Sequence, residues 1–356
     1  MKVIAYTKYD REAASTRQRL LQYLPGFRAA GFEVEYRPLL STAYVRSLAT
    51  GERQSRRDIA WAYAQRLHQL RAPHQADLIW IYAELFPWLP GAAERLAFRP
   101  GLPVIYDMDD AFFVPYDLNG NLVLRRLLEG KLNALMGGAA AVTCGNAYLA
   151  DHARPLCRET LIVPTVVDTA RYSPHRRSAG GPLVVGWIGS PSTWPQVRPL
   201  IPLLAQLSAT GDVRIKVVGA GAKAEADRFP GLELANWSEA DEIAEVQAMD
   251  IGIMPLQDDP FVRGKSGYKL IQYMACGLPV VASPIGVNSQ LVQHGVNGLL
   301  ASSPDEWKTA LDHLISDPAL RRHMGEAGRV RAVEHYSLAS QLPRLIDLFR
   351  SVVASS

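Results

Sequence analysis

Short apolar runs alternate with helix-patterned stretches along the whole chain, and this alternation restricts the fold more than any other feature. Strands joined by helices bury both faces of a sheet when they run parallel, so the pattern predicts an α/β protein with helices on both faces. In the first half the strand candidates are Val3–Tyr6, Glu33–Arg37, Leu78–Tyr82, Val104–Tyr106, Ala141–Thr143 and Leu161–Val163. Helical patterns lie near Thr16–Ala30, Arg56–Arg71, Ala92–Phe98, Leu122–Gly137 and Ala147–Ala153. The basic, Gly- and Pro-containing stretch Asp168–Pro182 then breaks the series and reads as a linker. A second set of strands follows: Leu183–Ile188, Arg214–Val218, Leu232–Leu234, Ile251–Pro255, Val280–Ala282 and Gly298–Leu300. Two doubly wound, Rossmann-like domains facing across a cleft are expected, at 1–170 and 183–337 with a linker at 171–182. The length of 356 residues suits two cores. A last helix at 338–356 starts after Ser337, a good N-cap.

Composition narrows the partners. A net charge of +3 is too mild to argue for nucleic acid, but fits a protein that meets phosphate at one place. Cys144, Cys157 and Cys276 show no paired spacing, so they read as reduced thiols. No cluster of His, Cys and carboxylate residues implies a metal, and no cofactor is expected. The start MKVIAYTKYD lacks the pattern of a signal peptide, and apolar stretches near Leu78–Pro90 and Ala134–Ala150 are interrupted by Glu84 and Asn146. A cytoplasmic protein, or one held at the inner membrane face from its surface, is the expectation.

Two helix starts carry the wrong charge. A helix amino terminus is partially positive and favours acidic side chains. After the first strand the chain reads Ala14-Ser15-Thr16-Arg17-Gln18-Arg19, with Ser15 or Thr16 as expected N-cap and Arg17 and Arg19 in the first turn. In the second half, Arg263, Lys265 and Lys269 crowd a start whose expected cap is Ser266, flanked by Gly264, Gly267 and Tyr268. A bound phosphate would reverse the repulsion, because backbone N–H groups and cations would act together. Basic side chains swinging into solvent are the plain alternative. Lys265, Lys269 and Gln272 share one helix face, and Gln272, about two turns in, could meet a ribose.

The run Asp250–Leu256, followed by Arg263–Ser283 (RGKSGYKLIQYMACGLPVVAS), strongly resembles the donor-binding core of glycosyltransferase family four. The likeness extends through His294–Gly298, Trp307, Arg321, Met324–Arg329 and Tyr336-Ser337, and Gly186–Thr193 looks like the start of that domain in one bacterial branch. This resemblance implies a GT-B fold and a hexosyltransferase-type enzyme moving a sugar from a nucleoside diphosphate to a hydroxyl acceptor with retention, without a metal. The acceptor would be a glycan, a lipid-linked glycan or a small molecule. It also implies a nucleotide base near Gly219 and Trp237, and a carboxyl-terminal helix that returns to the first domain.

The chain departs from the family pattern in three places. Two family glutamates eight residues apart align with Gly264 and Gln272. The family's arginine and lysine after the first strand of this domain give way to Ser190, Ser192 and Thr193, following Gly189. Arg263 and Lys265 are therefore expected to neutralise the diphosphate. Asp109 aligns with a family histidine near the reacting sugar, and Asp110 follows it. With Lys265 these two are the catalytic candidates, while Ser15, Thr16, Arg17 and Arg19 are candidates for the acceptor or phosphate side.

Residues 44–71 add a basic amphipathic stretch. Six arginines (46, 53, 56, 57, 66 and 71) against Glu52 and Asp58 leave an excess of four positive charges, with Trp61, Tyr63 and Leu67 interleaved. Such a segment could rest on an anionic membrane, or be an ordinary solvated helix. Two other functions stay open. One is a decayed, non-catalytic sugar-nucleotide-binding scaffold, favoured by the missing glutamates. The other is a nucleotide-sugar epimerase, which would need several acid/base carboxylates.

Overall fold

The computed structural model describes residues 1–50, 52–71, 75–175 and 180–355. Residues 176–179 of the expected linker, and the terminal residue of the expected 338–356 helix, lie outside the described residues. The chain forms two compact units. Unit 1 holds Met1–Thr165, Arg263–Ser266 and Gln341–Ser356, and unit 2 holds Val166–Val262 and Gly267–Ser340.

The sheet of unit 1 contains β1 (Lys2–Tyr9), β2 (Glu33–Leu40), β3 (Leu78–Tyr82), β4 (Val104–Met108), β5 (Ala141–Cys144) and β6 (Thr160–Ile162). Their spatial order is β2-β1-β3-β4-β5-β6 and every pairing is parallel. Val3 stands beside Val34 on one side and Leu78 on the other. β3, β4 and β5 are buried along their whole length, which is why they read as unbroken apolar runs.

The sheet of unit 2 contains β7 (Leu183–Ile188), β8 (Val213–Val218), β9 (Leu232–Ala235), β10 (Ile251–Met254), β11 (Val280–Ala282) and β12 (Gly298–Leu300). Its order is β12-β11-β10-β7-β8-β9, again all parallel. In each sheet the order reverses beside the first strand, between β1 and β3 in unit 1 and between β7 and β10 in unit 2. In doubly wound sheets the crevice at such a reversal, outside the strands' carboxyl ends, is where ligands bind.

Helices differ from the sequence pattern where glycine or proline intervenes. The Thr16–Ala30 stretch splits into Ala14–Arg19, a short 3-10 turn and Leu24–Ala29, because Pro25 can only begin a helix. The Leu122–Gly137 stretch divides into Leu122–Leu128 and Asn133–Gly138, with Gly130 at φ 66° between them. The carboxyl-terminal helix Leu338–Ala354 carries Pro343, and its last part packs within unit 1. There the Phe349 ring lies 4.9 Å from Phe27 and 5.1 Å from Trp80. The Ser337 hydroxyl accepts from the Ser340 N–H at 3.0 Å, as an N-cap does.

Candidate functional site

In unit 1 the polar residues gather at the carboxyl ends of the strands. Asp109 follows β4 and is buried, with the Tyr82 hydroxyl donating to it at 2.6 Å. The same phenol is hydrogen-bonded to Ser15. Burial first, and the neighbouring Asp110 charge second, push the Asp109 carboxyl up to about 7, against the pull of Arg19 and Tyr82. A carboxyl tuned to that range can hold or release a proton near neutral pH.

The first helix start is not what its sequence implies. The helix begins at Ala14 with Ala13 in the cap position, so neither Ser15 nor Thr16 caps it. Thr16 instead turns inward and donates to the Tyr9 carbonyl at 3.0 Å. Arg17 and Arg19 thus occupy the last turn, where cations are favoured, and the charge conflict disappears. Arg17 donates to the carbonyls of Arg11 and Glu12 at 2.8 and 2.9 Å. Arg19 is 2% exposed and pairs with buried Asp107 through both guanidinium edges, one at 3.1 Å. It also donates to the Val163 carbonyl at 2.7 Å. Its assignment to the acceptor or phosphate side is corrected: the guanidinium is spent on a buried pair.

Arg263–Ser266 belongs to the same unit and packs tightly there. The Asn146 amide donates to the carbonyls of Gly264 and Lys265 at 2.9 and 3.1 Å, while its oxygen caps helix Ala147–Ala153. A Cβ on Gly264 would stand 2.6 Å from the Ala111 Cβ and 2.7 Å from its nitrogen. Gly264 therefore has no room for the glutamate that its alignment would supply. Gly145, just after β5, brings its own backbone against Asp109, where a Cβ would lie 3.0 Å from the Asp109 Cα. The structure thus brings Asp109, Asp110, Gly264 and Lys265 into one neighbourhood built around Ala111, Gly145 and Asn146. Arg263 ends the short helix Pro260–Arg263, again a favourable place for a cation.

Unit 2 offers a different surface. Gly189 follows β7 at the order reversal, and Gly219, at φ 80°, follows β8. A Cβ on Gly219 would overlap the Gly189 carbonyl and stand 3.0 Å from the Trp237 Cβ. One on Gly189 would overlap the Trp187 ring and stand 2.8 Å from the Lys269 Cε. The loop after Gly189 is held by its hydroxyls: the Ser190 N–H donates to Thr193 Oγ1 at 3.1 Å, and Ser190 and Ser192 hydroxyls meet at 2.9 Å. Lys269 lies 5.5 Å from the Trp187 ring centre, in the first turn of helix Tyr268–Ala275. That helix has no acidic residue in its first turn, and Gly267, left-handed at φ 67°, takes the cap position expected of Ser266. A side chain at 267 would also meet Leu291 and Val287.

Gln272 is not open for a ribose hydroxyl. It is 2% exposed, and its amide donates to Glu242 at 2.7 Å and to the Tyr172 hydroxyl at 3.1 Å. Tyr172 also reaches Glu242, and the Trp237 indole donates to the other Glu242 oxygen at 2.6 Å. A carboxylate therefore stands beside position 272 after all, delivered by helix Glu242–Gln247. Glu242, Tyr172, Tyr82 and Asn146 were missed in the sequence. Asn146 carried a signal, since Gly145-Asn146 directly follows a strand; Glu242 carried none.

The basic stretch 44–71 is also revised. Arg66 is 1% exposed, donates to the Thr7 and Arg37 carbonyls, and lies 4.7 Å from the Tyr6 ring centre. Burial lowers its guanidinium to about 10. It cannot serve a membrane from there. Arg46 pairs with Glu12, and residue 51 lies outside the described residues. Among the described residues, no group of three His, Cys, Asp or Glu side chains is placed to hold a metal ion.

Residues 182–317, which contain all six strands of unit 2's sheet, match the sequence model of the family described as glycosyl transferases group 1. The D-inositol 3-phosphate glycosyltransferase of Pseudarthrobacter chlorophenolicus is 30% identical over 145 residues, which are 39% of this chain and 31% of that protein. The chain spans less than half the length of this and the next such relatives. Among solved structures, sucrose-phosphate synthase from Thermosynechococcus elongatus superposes with a TM-score of 0.77 at 18% identity, covering 100% of both chains. Anabaena HepE in complex with UDP-glucose gives 0.74 at 16% identity, covering 98% of this chain and 99% of that one. These structural likenesses are ones of fold: a two-domain α/β fold of the GT-B class.

Proposed function

We propose that this protein is a glycosyltransferase that binds a nucleoside-diphosphate sugar on unit 2 and passes the sugar to a hydroxyl acceptor with retention. The carrying observation is the glycine bed formed by Gly189 and Gly219, edged by Lys269, inside the stretch that matches the family sequence model. Without side chains, Gly189 and Gly219 let the two strand-end backbones, the Trp187 ring and the Lys269 stem pack against one another. Bare main chain therefore lies beside a first-turn lysine that supplies charge opposite to a diphosphate's. The solved HepE complex, which holds UDP-glucose, shares this fold and supports the choice of ligand class.

In the proposed reaction the acceptor oxygen bonds to the anomeric carbon as the bond from that carbon to the diphosphate breaks. The acceptor proton passes to a phosphate oxygen of the departing nucleoside diphosphate. On unit 2, Lys269 and the backbone at Gly267 stabilise the leaving group. Trp237 and the part-exposed Glu242, held by Gln272, border the nucleoside. Resemblance alone gives retention and metal independence, so turnover is expected to survive chelation by EDTA.

The test is release of nucleoside diphosphate from UDP-, GDP- and ADP-sugars, with and without glycan or lipid-linked acceptors. Acceptor-dependent release of one diphosphate supports the reading. Tight binding without turnover would favour the decayed scaffold, and interconversion of free sugars without acceptor would favour an epimerase.

A further inference from the structure

Unit 1 carries an apolar surface that the proposed reaction does not use. Residues 117–130 form a closed loop: the Gly130 N–H donates to the Asp117 carboxylate at 2.8 Å, tying the ends together. Inside it, the Asn121 side chain accepts from the N–H groups of Val123 and Leu124 at 3.0 and 3.2 Å and starts helix Leu122–Leu128. The helix is therefore locally specified, yet it turns most of its aliphatic side chains outward. Leu122 is 77% exposed, Val123 67%, Leu127 59% and the preceding Leu118 58%, whereas only Leu128 is buried.

Trp88 belongs to the same patch. It is 55% exposed, its ring lies edge-on to Tyr116 at 5.2 Å, and its N–H donates to the Tyr116 hydroxyl at 3.3 Å. Its backbone is held at φ 61°, a strained conformation for a non-glycine residue. With Leu89 and Leu124, seven of the fourteen large exposed apolar side chains of the described residues lie in 88–89 and 118–127. Such clustering marks an interaction surface rather than ordinary scatter.

The charges say what covers it. Two exposed arginines, Arg125 and Arg126, stand against one exposed glutamate, Glu129, which lies 3.8 Å from Arg125. The face keeps a net positive charge, and by helical rotation Arg126 projects between Leu122 and Val123. A symmetric contact with a second copy would take two arginines and a glutamate out of water on each side and leave the excess arginines facing each other. Anionic lipid headgroups would neutralise the same arginines while the leucines and Trp88 enter the boundary of the acyl chains. At about 10 Å the helix is far too short to cross a bilayer, and suits its surface.

We infer that the face formed by Trp88, Leu118, Leu122, Val123, Arg126 and Leu127 docks this protein on an anionic membrane surface. The inference stands apart from the transferase reading, because its test needs no sugar donor.

The experiment is co-sedimentation of the full chain with phosphatidylcholine vesicles, with and without phosphatidylglycerol. Binding to the anionic vesicles that weakens with added salt is expected. The Leu122→Ser/Leu127→Ser variant should bind at least ~10-fold more weakly with an unchanged melting temperature, since both side chains are exposed. Arg125→Gln/Arg126→Gln should weaken binding by about fivefold per arginine and flatten its salt dependence. No sedimentation of the well-folded chain, or equal binding by the leucine variant, overturns the inference. So does a dimer that the leucine variant dissolves while vesicle binding stays the same.

Discussion

The two units share one architecture but arrange their strand ends in opposite ways. At the strand ends of unit 1, charged groups neutralise one another inside the protein. Arg19 holds Asp107; Lys131 holds both Glu84 and Glu94; Lys8 adds a 2.7 Å contact to Glu84. Burial alone would raise the Glu84 carboxyl, yet the two lysines outweigh it and hold it below the usual range. At the strand ends of unit 2 stand glycines and short hydroxyl side chains, with a lysine at the rim. Unit 1 fixes its functional groups through buried charge, so its site is bound up with its stability. Unit 2 presents bare backbone and a rim lysine at its strand ends, so there binding and folding should come apart.

Substitutions at the two sets of strand ends can break that contrast. Arg19→Ala leaves Asp107 buried without its cation and should cost about 3–5 kcal/mol in urea unfolding. A loss under ~1 kcal/mol would show that the pair is not what holds unit 1. The next effect concerns pH. Asp109 has a raised folded-state value, so the native protein binds the extra proton and stability should fall as pH rises from about 4 to about 7, then level off. Asp109→Asn should remove that decline and be the more stable form at pH 8, by an amount on the order of 1–4 kcal/mol. Parallel stability curves for the two proteins would contradict a raised Asp109.

Gly264→Ala drives a methyl group into Ala111 and should cost about 1–3 kcal/mol of stability. A neutral result would mean that the Ala111 and Asn146 contacts yield easily. The smallest expected change in stability comes from unit 2. Lys269→Ala should leave the melting temperature nearly unchanged while weakening nucleoside diphosphate binding by roughly 10-fold, the scale of one hydrogen bond to a charged group. If that variant instead unfolded the chain, unit 2 would be as charge-dependent as unit 1 and the contrast would fail.

The sheets were legible in the sequence and the site only in part. The strands expected from the sequence all appear, with ends displaced by no more than three residues. β3, β4 and β5 read most cleanly, because strands buried on both faces have no polar alternation to confuse the reading. Helix starts were harder, since a cap is decided by tertiary partners. Thr16 spends its hydroxyl on the Tyr9 carbonyl, and Gly267 takes the left-handed turn that a serine cap could not supply. Gln272 looked like an open polar residue because Glu242, its partner, lies thirty residues earlier with no local pattern linking the two. Arg19 and Arg66 looked like surface cations for the same reason: their acceptors come from distant strands. The loss of a glutamate at 264 read as a missing function, whereas the structure shows a position where no side chain fits.

Hydrogen exchange of the full chain, with and without each nucleoside-diphosphate sugar, tests the central claim most directly. Slower exchange at 189–193, at 219 and at 267–272 with one donor, lost in Lys269→Ala, is the predicted result. Unchanged exchange in those segments at saturating concentrations of every donor would contradict a donor site on the glycine bed of unit 2.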